Sequence, residues 1–466
     1  MRAESIHTYL EDNMQTYPKI TIRNFGPFEH ASLELKPLTI LIGKNSVGKS
    51  LLAYLIWILT STVPDFETLG KKVSKQNIDE IAKKVLREVG KGLNPISEVK
   101  SIIKMHIDAL PHALISSLKE LIPKALMTTL NELIKEGEDQ ATIRIEGPHA
   151  LLELLIKDND IKIIRHKPYA ELIEELEVAV PRPSTLRIIH NDKVIVEERI
   201  TSIRELVNLT IATLAYYTGK AFAPFFTTTE ISALLPDSRA GLSRTLLRPY
   251  TPIAIAKNIS YVDEEFINLY FRLAEHLDEG LIELDMLKPL LNELGYNIEV
   301  VYEKGIRTIY IETWSGKRLP IPLAPSGIRE SLTVALALAS MSEPKIVIIE
   351  EPEAHLHPRA QKHLAKLIAK SINTLGKTVL ITTHSDYLIY TINNLIALSN
   401  IPEKAKQLGY QKDETLNPNI IAAYLIKPHA KKATIQKLEI TNEGIPEDEF
   451  TKVAQELADE RAEILT

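Results

Sequence analysis

The chain has 466 residues, 45% of them hydrophobic and 25% charged, with a net charge of −6; this is an ordinary globular composition with material for two or three domains. It contains no cysteine, which excludes disulfides, thiolate metal sites, iron–sulfur clusters and a cysteine nucleophile, and points to a reducing cytoplasm. The opening MRAESIHTYLEDNMQ has no apolar core for a signal peptide, and the longest apolar stretch, LLAYLIWILT at 51–60, is far short of the roughly 20 residues that span a bilayer, so no membrane span is expected.

Two alternating segments, 19–23 and 31–35, flank a Gly-Pro turn and predict a β-hairpin. The wholly apolar LTILIG at 38–43, bounded by Pro37, predicts a buried strand. A helix over 49–60 follows, apolar nearly all round. From 66 to 136 the apolar positions Ile78, Ile81, Ala82, Val85 and Val89 keep helical spacing, and prolines mark expected turns. Between 141 and 200 the pattern becomes that of hairpins around Asn/Asp turns, and another helix is expected over about 202–218. An amphipathic helix at 262–278 leads to a β-meander with turns at Lys304-Gly305 and Ser315-Gly316. Helix 327–341, strand 345–350, helix 359–374, strand 377–382 and helix 386–399 then alternate, the pattern of a parallel α/β sheet. The last segment predicts an acidic amphipathic helix with Phe450, Val453, Ala454, Leu457 and Ile464 on one side.

GKNSVGKS at 43–50 fits G-x-x-x-x-G-K-[ST]. Glycines let successive backbone N–H groups wrap a phosphate, a lysine reaches the β- and γ-phosphates, and a hydroxyl holds Mg²⁺. Gly43, Lys44, Asn45, Ser46, Val47, Gly48, Lys49, Ser50 and Leu51 are therefore the expected nucleotide-binding residues, with Asn24 added from the hairpin ahead of them. The expected ligand is ATP with Mg²⁺.

KIVIIEEPEAHLHP at 345–358 carries two adjacent glutamates at the end of an apolar strand, then a third glutamate and two histidines. The i, i+2 spacing of His355 and His357 suits no helical metal pair. Beside a nucleotide site, Glu350 is expected to support Mg²⁺ with Ser50, and Glu351 to polarise the attacking water. Glu353 is expected to cap the next helix, and His355 and His357 to be packing residues. TVLITTHSD at 378–386 delivers His384 to the same sheet edge, where a γ-phosphate sensor is expected.

These motifs, with APSGIRES and LITTHS, resemble the ABC-class P-loop ATPases, and EPEAHLHP is most similar to the branch holding the overcoming-lysogenization-defect (OLD) and RecF/SMC-like ATPases. The resemblance implies an α/β fold: an ABC-type core, a mixed sheet with flanking helices, interrupted by a large helical and β-hairpin insertion. The corresponding boundaries are 1–65 and 226–430 for the core, 66–225 for the insertion and 431–466 for a tail. It also implies catalytic roles for Lys49, Glu351 and His384, and a signature at Ser326 and Gly327 that touches the γ-phosphate held by a second subunit. A helix N-cap is the plain alternative for Ser326. The spacings Ser326 to Glu350, 24 residues, and Glu350 to His384, 34 residues, look like those of the class. LLPDSRAGL at 234–242 looks like a motif placed just after such insertions, leaving Arg239 either near the nucleotide or in a loop salt bridge.

Two departures stand out: Glu350 replaces the aspartate many relatives carry, and no Q-loop glutamine can be placed. A Toprim nuclease is not expected, because the 82 residues after His384 hold no Asp-x-Asp pair. The expectation is an ATP-hydrolysing switch that forms a homodimer on ATP, with DNA and a separate effector such as a nuclease as further partners. Basic clusters at 426–437 and 242–250 are the segments to test for phosphate contacts. The rivals are a transporter ATPase subunit and a non-hydrolysing nucleotide-binding scaffold.

Overall fold

The structure, a computed structural model, describes residues 17–74, 78–167, 169, 171–222, 224–226, 232–245, 259–303 and 306–465. In chain order the elements are β1 (Lys19–Phe25), β2 (Phe28–Glu34), β3 (Leu38–Gly43), α1 (Lys49–Ser61), α2 (Phe66–Ser74), α3 (Ile78–Gly90) and α4 (Ile96–Leu126). Next come β4 (Ala141–Glu146), β5 (Leu151–Lys157), β6 (Asp160–Lys167), β7 (Leu176–Arg182), β8 (Thr185–His190), β9 (Lys193–Arg199) and α5 (Ile203–Phe222). They are followed by β10 (Ser232–Leu235), α6 (Arg239–Thr245), α7 (Tyr261–Asp278), α8 (Leu284–Leu294), β11 (Tyr296–Glu303), β12 (Ile306–Thr313), β13 (Arg318–Pro320) and α9 (Ser326–Ala339). The last are β14 (Ile346–Glu350), α10 (Pro358–Leu375), β15 (Thr378–Thr383), α11 (Asp386–Ser399), β16 (Ile421–His429), β17 (Lys432–Leu438) and α12 (Asp448–Leu465).

The described residues divide into two compact units, the first drawn from Leu33–Trp57 and Ile231–Thr466 and the second from Thr16–Ser32 and Ile58–Glu230. The compact second unit thus runs from 58 to 230, where boundaries of 66 and 225 were expected, and it includes most of the N-terminal hairpin.

In the first unit the strand order is β10-β14-β15-β3-β16-β17. The first five are mutually parallel and β17 returns antiparallel. Strands covered on both faces must be apolar throughout. LTILI, IVII and TVLIT are indeed buried at every position. One core joins this sheet to α7, α8, α9, α10 and α11. The register aligns Gly43 with Ile426, Ile42 with Thr383, and Glu350 with Thr382, so the carboxyl ends of β3, β14 and β15 lie at one edge.

β16 and β17 take up the basic cluster at 426–437, and β17 replaces the start of the expected tail. Ile421–Ile426 is fully buried beside β3, and among the lysines after it Lys437 pairs with Glu34 at 2.6 Å. α8 was also unexpected; Pro289 sits inside it, while Met286, Leu287, Leu290 and Leu291 face the core. β11–β13 form the expected meander, whose Lys304-Gly305 turn lies outside the described residues.

In the second unit β2-β1-β4-β5-β6 form one sheet and β7-β8-β9 another. The helical stretch is longer than its prolines suggested, because α4 runs through Pro111 and Pro123. Proline removes one backbone donor and crowds the preceding turn. Here Pro111 is buried among Ile107, Leu110, Leu114 and Ile115 on a helix with an apolar face, and packing keeps it continuous. No described helix is long and apolar enough to cross a membrane.

Candidate active site

β3 must stop where its backbone turns into the loop, and Gly43 sets that point. A Cβ there would lie 2.4 Å from the Ile426 carbonyl oxygen on β16, a separation no side chain can occupy. Ser46 and Gly48 then take positive φ values of 62° and 100°, conformations that curl the backbone and that glycine adopts without steric cost. α1 begins at Lys49, with Leu52 N donating to Gly48 O at 3.2 Å. Lys44, Asn45 and Ser46 are exposed, whereas Val47 and Lys49 are buried. The Lys49 ammonium folds back onto the loop, donating to Gly43 O and Lys44 O at 2.8 Å each. Burial lowers its pKa, while the charges of Glu351, Glu353 and Glu350 act to raise it. An incoming phosphate would offer this cation a stronger partner than two carbonyls.

The two adjacent glutamates diverge at the end of β14. Glu350 turns inward and is 2% exposed. Its carboxylate accepts from Asp237 N at 3.3 Å and from the hydroxyls of Ser50 and Tyr54. Burial pushes its pKa up, Asp237 adds to the shift, and the two hydroxyls oppose it. Tyr54 is likewise pushed well up, first by burial and then by Glu350. Glu351 leaves the strand at φ +42°, held by its N–H on Thr382 O at 3.0 Å. A left-handed conformation is uncommon for a residue with a side chain and costs of order 1–3 kcal/mol. It turns the Glu351 carboxylate to a half-exposed position 3.4 Å from His384 Nδ1.

Glu353 does not cap the next helix. His357 is the cap, accepting from Arg359 N, because Pro358 takes the first helical position. Glu353 reaches sideways to β15, where its Oε1 accepts from Thr383 Oγ1 at 2.5 Å and His384 N at 3.2 Å. It therefore fixes the backbone that carries His384, and burial pushes its own pKa up.

Ser326 and Gly327 open α9, but the N-cap is Pro325 and no side chain caps the helix. Gly327 has a steric reason: a Cβ would stand 2.8 Å from His355 O, and His355 itself has φ +58°. Asn24 belongs to the second unit, where its amide donates to Glu138 Oε2 at 3.0 Å. Arg239 forms a buried ion pair at the first residue of α6 rather than in a loop, and it also lies against the backbone of the two glutamates. It is 0% exposed, and its guanidinium is spent on Glu330 and on the carbonyls of Pro236, Glu350 and Glu351.

Tyr54, Asp237 and Glu330 escaped the sequence reading. Tyr54 stands at i+4 from Ser50, hence on the same helix face; Glu330 stands at i+4 from Ser326 in the same way. Among the described residues no cluster of three or more His, Asp or Glu could hold a metal ion by itself. The hydrogen-bonded Ser50–Glu350 pair is the donor set available for one that also binds phosphate and water.

A parallel strand ending in a glycine-rich loop and a lysine, beside strands that bring two carboxylates and a histidine to the same edge, defines an ABC-class, SMC-like P-loop ATPase. The chain belongs to the AAA ATPase domain family, which matches residues 18–389. It is 28% identical over 152 residues to the DNA double-strand break repair Rad50 ATPase of Sulfurisphaera tokodaii, covering 29% of this chain and 17% of that protein. It is 34% identical over 112 residues to the methionine import ATP-binding protein MetN of Clostridium tetani, covering 24% of this chain and 32% of that protein. The chain thus spans less than a third of either curated relative. Among solved structures, the Smc head domain bound to the C-terminal domain of ScpA, derived from Pyrococcus furiosus, is similar at 10% identity with a TM-score of 0.43, covering 95% of this chain and 99% of that one.

Proposed function

We propose that this chain binds and hydrolyses ATP as a switch, with two copies enclosing two nucleotides. The observation that carries the reading is the convergence of Lys49, Ser50, Glu350, Glu351 and His384 at the end of β3. The backbone N–H groups of 43–51 and the Lys49 ammonium would hold the β- and γ-phosphates. Bound Mg²⁺, supported by Ser50 and Glu350, would supply neutralising charge on the phosphate oxygens. Glu351 would orient a water and take its proton as the water oxygen bonds to the γ-phosphorus and the bond to ADP breaks. His384, 3.4 Å from Glu351, would hold the γ-phosphate side of that water.

Ser326 and Gly327, at the start of α9, would face the γ-phosphate of a second copy, so that ATP joins the subunits and hydrolysis releases them. The second unit and α12 would pass closure to a partner. A DNA-maintenance or defence role is supported by the similarity to a double-strand break repair ATPase, and a cytoplasmic location would suit it. The similarity to an import ATPase favours, as a second reading, a subunit that drives a separate membrane protein. Hydrolysis measured with and without duplex DNA tests the function. ATP turnover stimulated by DNA is expected; no turnover would leave a nucleotide-binding scaffold, and turnover indifferent to DNA would favour the transporter reading.

A further inference from the structure

We propose that Arg239 and Glu330 form a buried positioning pair that ties the signature helix to the Glu351 peptide, so that the aim of the water-polarising carboxylate follows the state of α9. The guanidinium of Arg239 is fully buried and meets three segments at once. Its Nε lies 2.9 Å from Glu330 Oε2 and donates to Glu330 O at 3.1 Å. One terminal nitrogen donates to Pro236 O at 3.0 Å and Glu350 O at 2.6 Å, and the other donates to Glu351 O at 2.7 Å. Five donors in a rigid planar fork suit this set, which no other side chain could satisfy.

Two successive carbonyls can converge on one guanidinium only if the chain between them leaves the extended form. Glu351 does so, at φ +42°. The kink that aims the Glu351 side chain towards His384 is therefore held from behind by Arg239. The adjoining turn belongs to the same clamp, because Asp237 N donates to the Glu350 carboxylate.

Glu330 gives the clamp its other end. It lies one helical turn after Ser326, with its side chain 3% exposed, and Arg239 Nε sits against it. Its Oε1 is 4.0 Å from His355 Nε2, and His355 O packs against Gly327. A shift of the first turn of α9 therefore bears on Glu330 directly and on Glu351 through a single side chain. Low-dielectric burial makes this linkage stiff, since either partner left alone would be an uncompensated charge.

The inference rests on Glu351 as the group that polarises water, and the test separates the two ideas. Arg239→Lys keeps the charge but loses the fork, and Glu330→Gln keeps the shape but loses the charge. For both we expect one ATP bound per chain, KM for ATP within about threefold of the parent, and kcat lowered about 10- to 100-fold. A misfolded fraction would instead lower the number of ATP sites. Combined with Glu351→Gln, Arg239→Lys should slow hydrolysis no further, because both act through one group. Parental kcat in Arg239→Lys and Glu330→Gln, or losses that multiply in the double variant, would overturn the coupling. A Glu351→Gln protein that hydrolyses at the parental rate would instead overturn the assignment of Glu351.

Discussion

Gly43→Ala tests whether the nucleotide loop is set by a single close approach. The added Cβ would stand 2.4 Å from Ile426 O and 3.3 Å from Val47 Cγ2, the first roughly 1 Å inside ordinary van der Waals contact. Ile426 O belongs to the β16 backbone, in register with Gly43, so no rotamer change relieves the clash. Either β3 and β16 separate at their carboxyl ends or the loop rises. Overpacking of this kind costs about 1–3 kcal/mol, to which the positive φ of 155° adds. One of the two loop carbonyls that receive Lys49 Nζ is that of Gly43 itself, the other that of Lys44, and displacement should therefore weaken ATP binding as well as stability. The expected result is a fall of several degrees in melting temperature and a loss of about tenfold or more in ATP affinity, read by thermal denaturation and equilibrium titration on the same preparation. Gly70→Ala is the control: it lies inside α2 with nothing within 4 Å of the new Cβ, and helix propensity predicts a gain of roughly 0.5–1 kcal/mol. A Gly43→Ala protein that melts and binds ATP like its parent would show that the loop is not held by this contact.

Lys49→Ala removes the buried cation, and with each charge-assisted bond worth about 1.5–3 kcal/mol, ATP affinity should fall by about 100-fold in titration; unchanged affinity would move the site elsewhere. Glu351→Gln should bind ATP normally yet hydrolyse it about 10²- to 10⁴-fold more slowly, and parental turnover in a phosphate-release assay would reject the assignment. In that background, Mg²⁺ and ATP should produce a stable dimer by light scattering after gel filtration, and Ser326→Arg should prevent it while sparing nucleotide binding to the single subunit; a mass indifferent to ATP would refute the sandwich. Lys377, fully buried, has its pKa lowered to about 7 by burial and by Lys345, with Glu343 opposing. Above pH 7 the unfolded chain holds a proton that the folded one has lost, so stability should rise with pH towards 10.5 by at most about 1.4 kcal/mol per unit. Lys377→Met should lack that rise in denaturant melts, and parallel pH profiles would contradict it.

The residues at the carboxyl edge of the sheet were legible because the chemistry is local in sequence. A loop needing two glycines, a lysine and a hydroxyl spans eight positions, and LTILI and IVII announce their own burial. β16 carries the same kind of signal in Ile421–Ile426, yet the lysines that follow it drew the reading towards charge. α8 was hidden by Pro289, although Met286, Leu287, Leu290 and Leu291 keep helical spacing. For Arg239 the sequence left two alternatives and named no partner. Its partners Glu330 and Glu350 are 91 and 111 residues away, and buried arginine is rare enough that exposure is the natural default. Glu353 was misjudged for a related reason, since a glutamate just before a helix suggests a cap until β15 supplies Thr383 and His384 as closer partners.

The position of β3 between β15 and β16 also fixes when the nucleotide loop can exist. Leu38–Gly43 leaves the ribosome early, but its two neighbours are Thr378–Thr383 and Ile421–His429. At about 5–20 residues per second, roughly 20–80 s of synthesis separate the strand from its second partner. Until β15 is made both edges of β3 lack a partner strand, and until β16 follows one still does, the kind of surface that recruits stray strands or a chaperone. A nascent chain arrested before residue 421 should therefore fail to retain ATP although its entire loop sequence has been made, and release of the full-length chain should restore retention.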